Sequence, residues 1–338
     1  MDNMTRTVQK VAVLGSGSWG TALASHLRRA GHSVVIWGKS ADEIQDLAVG
    51  RNTRYFPGET LASGLVATTD LLTAVDGAQT IVIAVPSFAV REVCESVREH
   101  AAAASIVSAA KGLEGGSFRF LSEVVGDVLG NADRVAVLSG PSFALEVLRN
   151  KPTAVTVASR SEQTAKRVAE TFHHETFRVY TTADVVGVEV GGAVKNVIAL
   201  AVGMVDGFDG GTNARAALIT RGLAEIAQLA DALGGESRTV SGLSGLGDLL
   251  LTATGDLSRN RTVGLRLGKG ETLGEILASL GQVAEGVEAA PKVLALATKR
   301  GVAMPITEAV VKVISGERSV QDSARMLLSR ERKGETSP

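Results

Sequence analysis

The first half of this 338-residue chain contains the sequence VAVLGSGSWGTALASHL at residues 11–27, which indicates its fold. An apolar, β-branched run leads directly into three glycines, Gly15, Gly17 and Gly20, and the residues after them have the composition of a helix. In a strand–loop–helix unit the first glycine permits a tight turn, the second lets the backbone approach a pyrophosphate, and the third permits close packing of helix on strand. Amides at the helix N-terminus then bind the phosphates. The stretch therefore predicts a dinucleotide-binding site, in preference to a glycine turn without a ligand.

Around this stretch, short β-branched runs alternate with helical stretches. The predicted strands are residues 11–15, 33–37, 80–85, 105–110, 134–140 and 153–159. The first five are almost continuously apolar, as expected of parallel strands that helices cover on both faces. The alternation predicts a doubly wound, Rossmann-type parallel sheet of the α/β class. Later in the chain, Ala and Leu recur at helical spacing, so we expect a dinucleotide-binding domain over 1–186 and an all-helical substrate-binding or dimerisation domain over 187–338.

The overall composition argues against several classes of partner and site. Lys and Arg total 35 against 36 Asp and Glu, so no basic field for nucleic acid is expected. No charge-free apolar run is long enough to span a membrane and the first residues lack the apolar core of a signal peptide, which predicts a cytoplasmic protein. The single cysteine, Cys94, suits a reducing compartment and is interpreted as a packing residue. His173 and His174 are expected at the surface, and the spacing of His, Asp and Glu predicts no catalytic metal.

The end of the second predicted strand bears on which coenzyme the site accepts. The sequence VVIWGKS, residues 34–40, has Gly38 and Lys39 where an NAD-selective site usually has an acidic residue for the ribose hydroxyls. A lysine can pair with the 2′-phosphate of NADP, so NADP(H) is expected to be preferred or accepted alongside NAD(H). A solvated loop charge is the alternative for Lys39, because a lysine offers no bidentate geometry. Pro86, in AVPS after the third predicted strand, is expected to shape a loop at the ligand-binding edge.

A lysine, Lys195, stands in the apolar stretch VEVGGAVKNVIALAVGM, residues 188–204. Burial of an unpaired ammonium is costly. Either the side chain therefore extends to solvent from a core helix, or the site uses the buried charge. On a helix the neighbours of Lys195 one turn away are Gly191, Gly192 and Ala199, and their small size predicts a notch into which a substrate fits.

Two stretches follow predicted strands at the edge where such sheets bind ligands. Lys111 comes after the fourth strand in SAAKGLE, and Gly140, Ser142 and Ala144 come after the fifth in LSGPSFALEV. Both stretches are placed where a substrate meets a nicotinamide. Desolvation, with Lys111 as a like charge nearby, is expected to lower the pKa of Lys195 and suit it to proton transfer.

The stretch SGLSGLGDLLLTATGDLSRNRTVG, residues 241–264, contains a possible counter-charge and a possible phosphate site. Asp248 either orients the ammonium of Lys195 as a counter-charge, caps a short helix that begins at residue 249, or does both. Ser258, Arg259 and Asn260 precede another predicted helix. A helix N-terminus combined with a guanidinium suits a phosphate monoester, and a surface ion pair is the alternative for Arg259.

The whole chain resembles the bacterial NAD(P)-dependent glycerol-3-phosphate dehydrogenases, essentially from end to end. The resemblance is carried, in the family's order and spacing, by the motifs GSGSWGTALA, AAKGLE, SGPSFA, GGAVKNVIA, NARAALITRGLAE, GLGDLLLT, SRNR and MPITEAV. It implies reversible reduction of dihydroxyacetone phosphate to sn-glycerol 3-phosphate, a glycerophospholipid precursor, by NADPH or NADH.

The resemblance also implies roles for individual positions. The lysine matching Lys195 is the family's proton donor and acceptor, and Asp248 stands with it as a catalytic candidate. The positions implied to surround the substrate are Lys111, Gly140, Ser142, Lys195, Asp248, Ser258, Arg259 and Asn260. The positions implied to contact the cofactor, besides the three glycines of the loop, are Ser18, Trp19, Lys39, Lys111, Ala144, Arg259, Val283 and Glu285.

Two alternative functions use the same predicted fold. One is a related dehydrogenase for a non-phosphorylated or carboxylate hydroxy acid, against which the SRNR segment argues if Arg259 binds phosphate. The other is a non-catalytic NADP sensor, against which Lys195, Asp248 and Arg259 argue, because a binding module has no use for a buried proton donor. Apolar helical stretches in the second domain favour a homodimer.

Overall fold

The structure, a computed structural model, describes residues 7–280, 284–330 and 334. The chain divides into two compact units. One comprises the residues up to Glu114 together with Arg119–Val185, and the other comprises Gly115–Phe118 together with the residues from Val186 onward. The first unit alternates strands with helices and the second is helical, which agrees with the predicted fold class.

A single sheet organises the described part of the first unit. Its strands are β1 (Lys10–Leu14), β2 (Ser33–Trp37), β3 (Val66–Thr68), β4 (Thr80–Ile83), β5 (Ser105–Ser108), β6 (Val135–Ser139), β7 (Thr153–Ala158) and β8 (Phe177–Thr182). They lie in the order β3-β2-β1-β4-β5-β6-β7-β8, and all neighbours are parallel except β6 and β7. The carboxyl ends of β1, β2, β4, β5 and β6 therefore lie along one edge of the sheet.

The apolar character of the central strands follows from burial on both faces of the sheet. In β1, Val11 and Val13 contribute to one hydrophobic core, whereas Ala12 and Leu14 contribute to a second core. Because side chains of a strand alternate between faces, a strand covered on both sides reads as a continuous apolar run. This pattern made the central strands predictable.

The sheet differs from the prediction at its edges. The six predicted strands are all present, but β3 and β8 were missed, because β3 has only three residues and much of β8 is exposed. The sheet is mostly parallel, as predicted, with one exception among the described strands, since β7 runs antiparallel to β6. The connection between these two strands contains only a five-residue helix, Ala144–Leu148, which does not carry the chain back along the sheet.

The helices of the first unit fill the connections between strands. They are α1 (Ser18–Arg29), α2 (Ala41–Ala48), α3 (Leu71–Val75), α4 (Val90–Val97), α5 (Leu121–Leu129), α6 (Ala144–Leu148) and α7 (Glu162–Phe172). Side-chain caps fix several N-termini. The hydroxyl of Ser40, for example, accepts a hydrogen bond from the amide of Glu43 and so sets the start of α2.

The second unit is built on a long apolar helix. Its helices are α8 (Val185–Gly207), α9 (Gly211–Ala232), α10 (Ser237–Val240), α11 (Asp248–Thr254), α12 (Arg259–Gly268), α13 (Leu273–Leu280), α14 (Glu285–Lys299), α15 (Pro305–Ile314) and α16 (Val320–Leu328). Within the described residues, α8 is the one helix whose length and composition would suffice to cross a membrane. Because 94% of its most apolar window is buried inside the protein, α8 has the character of a core helix.

Glycines allow α8 and α12 to pack with their backbones in contact. A Cβ at Gly203 or Gly207 of α8 would overlap carbonyl oxygens of α12, and a Cβ at Gly264 or Gly268 of α12 would overlap carbonyl oxygens of α8. Each pair is spaced by four residues, so all four glycines lie along one crossing. This crossing fixes the beginning of α12 relative to the helix that carries Lys195.

Candidate active site

The glycine loop has the local geometry that a dinucleotide requires. Gly15 has φ +128°, and a Cβ there would lie 2.5 Å from the carbonyl oxygen of Ala84. A Cβ at Gly20 would overlap the carbonyl oxygen of Gly15, so helix and loop are in direct contact. Gly17, by contrast, has no atom within 4 Å of a Cβ position, which leaves room above the N-terminus of α1. The residues present therefore fit the pyrophosphate of a dinucleotide.

Ser18 and Trp19 occupy the first turn of α1, directly after this open space. Lys39 lies just beyond β2, where its ammonium is 2.9 Å from a carboxylate oxygen of Glu92. Its side chain is 65% exposed, so water screens this ion pair. The prediction that Lys39 binds a 2′-phosphate stays a prediction.

The sequence-predicted residues after β5 and β6 lie at the same edge of the sheet as the glycine loop. Lys111 is half-buried, three residues beyond the end of β5. Gly140 follows β6 with φ +138°, and a Cβ there would lie 3.0 Å from the Cα of Val155. The hydroxyl of Ser142 donates to the carbonyl oxygen of Gly140 at 2.9 Å, and Ala144 begins α6. The ends of β5 and β6 thus present the cation of Lys111 and a turn at Gly140 with no room for a side chain.

In the second unit, Lys195 is 7% exposed and does not extend to solvent. Its ammonium donates to Oδ1 of Asp248 at 2.6 Å and to the hydroxyl of Thr252 at 2.8 Å. The hydroxyl of Thr252 in turn donates to the carbonyl oxygen of Asp248 at 2.6 Å, so it is an acceptor toward the lysine. Two acceptors on α11 therefore hold a buried ammonium carried by α8.

The interpretation of Asp248 as a helix cap is wrong. The helix α11 begins at Asp248 itself, continuing a π-helical turn over Leu243–Gly247, and no side chain caps it. Asp248 is 1% exposed, and its carboxylate is directed to Lys195. Thr252 was missed from the sequence, although its position four residues after Asp248 places both side chains on one helix face.

The expected notch beside Lys195 is closed on one side. A Cβ at Gly191 would lie 2.7 Å from the carbonyl oxygen of Ser244, so this glycine admits the π-helical turn and not a substrate. Ala199 is fully buried in the core. The small residues therefore serve helix packing at both of these positions.

The SRNR segment forms the start of α12. Ser258 is the N-cap, and its hydroxyl accepts from the amide of Arg261 at 3.2 Å. Arg259 and Asn260 are the first two residues of the helix, where the sequence had placed them before it. The side-chain oxygen of Asn260 accepts from the amide of Gly286 at 2.9 Å, which joins the N-termini of α12 and α14.

Glu285, a predicted cofactor contact, lies beside the lysine helix. The amide nitrogen of Asn196 donates to a carboxylate oxygen of Glu285 at 3.2 Å. Within the second unit, hydrogen bonds thus join Lys195 to Asp248, and Glu285 to Asn196, the residue next to Lys195. Val283, the other cofactor candidate in this segment, lies outside the described residues.

The remaining candidates are not part of these groups. Cys94 is fully buried, and burial raises the pKa of its thiol to about 12, which supports its interpretation as a packing residue. His173 is exposed and His174 is half-buried, with its ring edge-on to that of His26 at 6.0 Å.

The comparisons with known proteins cover almost the whole chain. A family model described as the N-terminus of NAD-dependent glycerol-3-phosphate dehydrogenase matches residues 10–165, and one described as its C-terminus matches residues 184–325. The chain is 48% identical over 334 residues to glycerol-3-phosphate dehydrogenase (NAD(P)+) of Stenotrophomonas maltophilia, and the match covers 98% of each protein. A relative of the same name from Xanthomonas campestris pv. campestris is also 48% identical over 334 residues.

A solved structure agrees with the sequence comparisons. The crystal structure of glycerol-3-phosphate dehydrogenase from Coxiella burnetii superposes with a TM-score of 0.91 at 43% identity, covering 96% of this chain and 99% of that one. Family membership favours this activity over the hydroxy-acid dehydrogenase and the non-catalytic sensor. The chain belongs to the NAD-dependent glycerol-3-phosphate dehydrogenase family of oxidoreductases.

Proposed function

We propose that the chain catalyses the reversible reduction of dihydroxyacetone phosphate to sn-glycerol 3-phosphate with NADPH or NADH. The observation that carries this proposal is the buried ammonium of Lys195, held between the carboxylate of Asp248 and the hydroxyl of Thr252. The nicotinamide supplies the hydride when it is bound. The second unit supplies the proton donor.

In this proposal Lys195 protonates the developing alkoxide. Reduction of a ketone produces an oxygen anion, which needs a proton or a positive neighbour at once. An ammonium provides both, and burial strengthens its electrostatic effect because little water screens it. Asp248 and Thr252 fix the position of the Nζ atom through two hydrogen bonds, so the positive charge is held at one defined point for the substrate oxygen.

We assign the substrate phosphate to the N-terminus of α12. Ser258, Arg259 and Asn260 combine the positive end of a ten-residue helix with a guanidinium. A phosphate held away from the reacting carbon orients the ketone toward the proton donor. Lys111, Gly140 and Ser142, at the edge of the sheet, are assigned to the substrate from the first unit.

We assign coenzyme binding chiefly to residues 1–186 and the substrate phosphate to residues 187–338. The open space at Gly17 supports the assignment of the pyrophosphate. The cofactor contacts proposed there are Gly15, Gly17, Ser18, Trp19, Gly20, Lys39, Lys111 and Ala144. Arg259, Val283 and Glu285 are proposed as contacts from the second domain.

We further propose that the protein is a cytoplasmic homodimer. The single, buried cysteine supports a reducing compartment. Leucines of the second unit that lie exposed to solvent support an association surface. They are Leu246, Leu250, Leu257, Leu277 and Leu328. Sedimentation equilibrium tests the dimer, which predicts twice the 34.9 kDa chain mass.

The reaction is tested by following the loss of reduced-nicotinamide absorbance with dihydroxyacetone phosphate and either NADPH or NADH. We expect turnover with both coenzymes. The ratio of the two kcat/KM values measures the coenzyme preference. Binding of NADPH without turnover would contradict the proposed reaction and favour a sensor or another substrate.

A further inference from the structure

The position that usually carries the ribose-binding acid is a glycine in this chain. Gly38 is the first residue after β2, where an acidic residue accepts from the ribose hydroxyls in NAD-selective sites. A Cβ at Gly38 would overlap the side chain of Ser16, the residue between the first two glycines of the loop. A side chain at this position would displace Ser16, and the glycine itself offers no group that could bind the ribose, so other residues at this edge must discriminate between the coenzymes.

A carboxylate from α2 reaches the same place. The hydroxyl of Ser16 donates to Oε2 of Glu43 at 2.6 Å, and Nη1 of Arg54 donates to Oε1 of the same carboxylate at 2.7 Å. The side chain of Glu43 is 13% exposed, whereas that of Arg54 is 60% exposed. The carboxylate is therefore bonded directly to the glycine loop, and the guanidinium is linked to the loop through that carboxylate.

The segment that carries Arg54 is itself anchored to the loop. The side-chain amide of Asn52, which is 1% exposed, donates to the carbonyl oxygen of Ser16 at 3.0 Å and to the hydroxyl of Thr21 at 2.8 Å. The amide of Phe56 donates to the carbonyl oxygen of Asn52 at 2.8 Å. Asn52 thus anchors this segment to the coenzyme loop, and a local turn ties Phe56 to Asn52. The side chain of Arg54 between them stays 60% exposed.

We propose that the Glu43–Arg54 pair determines coenzyme selectivity. Arg54 binds the 2′-phosphate of NADP(H), and Glu43 accepts a hydrogen bond from the 2′-hydroxyl of NAD(H), in place of the acid that Gly38 cannot supply. This inference rests on the proposed function, because it concerns the coenzyme of that reaction. Because the pair contains one positive and one negative side chain, the same site can bind either coenzyme.

The chemistry of the two side chains favours this division. A guanidinium binds a phosphate through two parallel N–H groups, which the single point charge of Lys39 cannot do. To bind the phosphate, Arg54 leaves its ion pair with Glu43. The side chain of Arg54 is 60% exposed, and ion pairs with such exposed side chains are weak. Glu43 keeps the hydrogen bond from Ser16 when Arg54 turns to a phosphate.

The test measures equilibrium binding by titration calorimetry with NADPH, NADH, 2′,5′-ADP and 5′-AMP. We expect Arg54→Ala to weaken NADPH and 2′,5′-ADP by about tenfold or more, and NADH and 5′-AMP by less than about twofold. Arg54→Lys should recover part of the loss. Glu43→Gln, whose amide oxygen still accepts from Ser16, should weaken NADH about fivefold and leave NADPH unchanged or tighter.

Arg51→Ala is the matched control, since Arg51 lies on the same segment and forms a similar exposed pair with Asp46. It should change neither coenzyme. Equal weakening of both coenzymes by Arg54→Ala, or no change in either, overturns the inference. If the wild type binds neither coenzyme, the proposed function itself fails. If it binds and turns over both while these variants leave their ratio unchanged, only this inference fails.

Discussion

Two lysine–carboxylate pairs in this chain have similar geometry and very different surroundings. Lys195 Nζ lies 2.6 Å from Asp248 Oδ1, and the two side chains are 9% and 2% exposed. Lys39 Nζ lies 2.9 Å from Glu92 Oε1, with side chains 65% and 68% exposed. Water and salt screen the second pair but have little access to the first. Distance alone therefore does not indicate which pair the protein depends on.

The two environments suit the two lysines to different roles. A buried ammonium is held in one place and keeps its full electrostatic effect on a neighbouring oxygen anion. An exposed ammonium exchanges partners at little cost, which suits it to attract a charged ligand and not to define a reacting position.

Replacing the proton donor should have the largest effect. We expect Lys195→Met to lower kcat for ketone reduction by about a thousandfold or more, because both the proton and the positive charge are lost. Lys269→Met, at the exposed end of α12, is the control and should retain wild-type turnover. NADPH binding reports that the first unit of the variant is folded. Substantial turnover by a folded Lys195→Met would remove this lysine from the mechanism.

Neutralising the carboxylates should separate the two pairs in stability. Asp248→Asn leaves a buried ammonium without its counter-charge and should cost about 3–5 kcal/mol. Glu92→Gln should cost less than about 1 kcal/mol. Chemical denaturation followed by circular dichroism measures both. Equal costs would show that burial is not what distinguishes the pairs.

The same substitution should also change the pH dependence of catalysis. Loss of a neighbouring negative charge lowers the pKa of a lysine. The alkaline limb of the pH profile for ketone reduction should therefore move to lower pH in Asp248→Asn than in the wild type. An unmoved limb would mean that Asp248 does not act on the proton donor.

The fold of the first unit and the unusual position of Lys195 could be predicted from the sequence, because both depend on local patterns. The glycine loop and the central strands are local patterns, and Lys195 stood out because its neighbours are apolar. The burial of the Lys195–Asp248 pair could not be predicted from the sequence, because it depends on α11 packing beside α8. Gly191 shows the limit: its small size suggested room for a substrate, whereas the structure fills that room with the backbone of Ser244.

Contacts between segments far apart in the chain could likewise not be predicted from the sequence. The packing of α8 on α12 depends on Gly203 meeting residues near position 264, far along the chain. The link between Glu43, Arg54 and Ser16 also joins residues without a shared periodic pattern. Thr252 could have been found, because it lies one helical turn from a residue already singled out.

A third carboxylate, Glu225, is a buried acid for which the described part of the chain shows no ion pair with a lysine. It is 5% exposed and accepts from the amides of Ile306 and Thr307 at the start of α15. Burial raises its pKa from 4.5 to about 7, against the lowering effect of those hydrogen bonds. The folded protein therefore holds this proton more tightly than the unfolded chain does.

The sign of the resulting pH dependence follows from this pKa. The contribution of Glu225 to stability is complete below its ordinary pKa and is lost as the pH rises through about 7. Between about pH 4 and pH 8 the loss should amount to about 3 kcal/mol. Glu225→Gln should lack this component, so the gap between wild-type and variant stabilities should change with pH. A gap independent of pH would show that folding does not raise the pKa of Glu225.

The smallest effect is expected at the exposed pair. Lys39→Ala should raise KM for NADPH by about threefold and leave that for NADH unchanged, because a screened point charge adds little to phosphate binding. The effect should fade as salt is added, since the Debye length falls. An effect as large as that of Arg54→Ala, and insensitive to salt, would mean that Lys39 leaves Glu92 and becomes desolvated on the coenzyme. The exposed lysine would then behave as the buried one does, and the distinction drawn from the free protein would not hold in the complex.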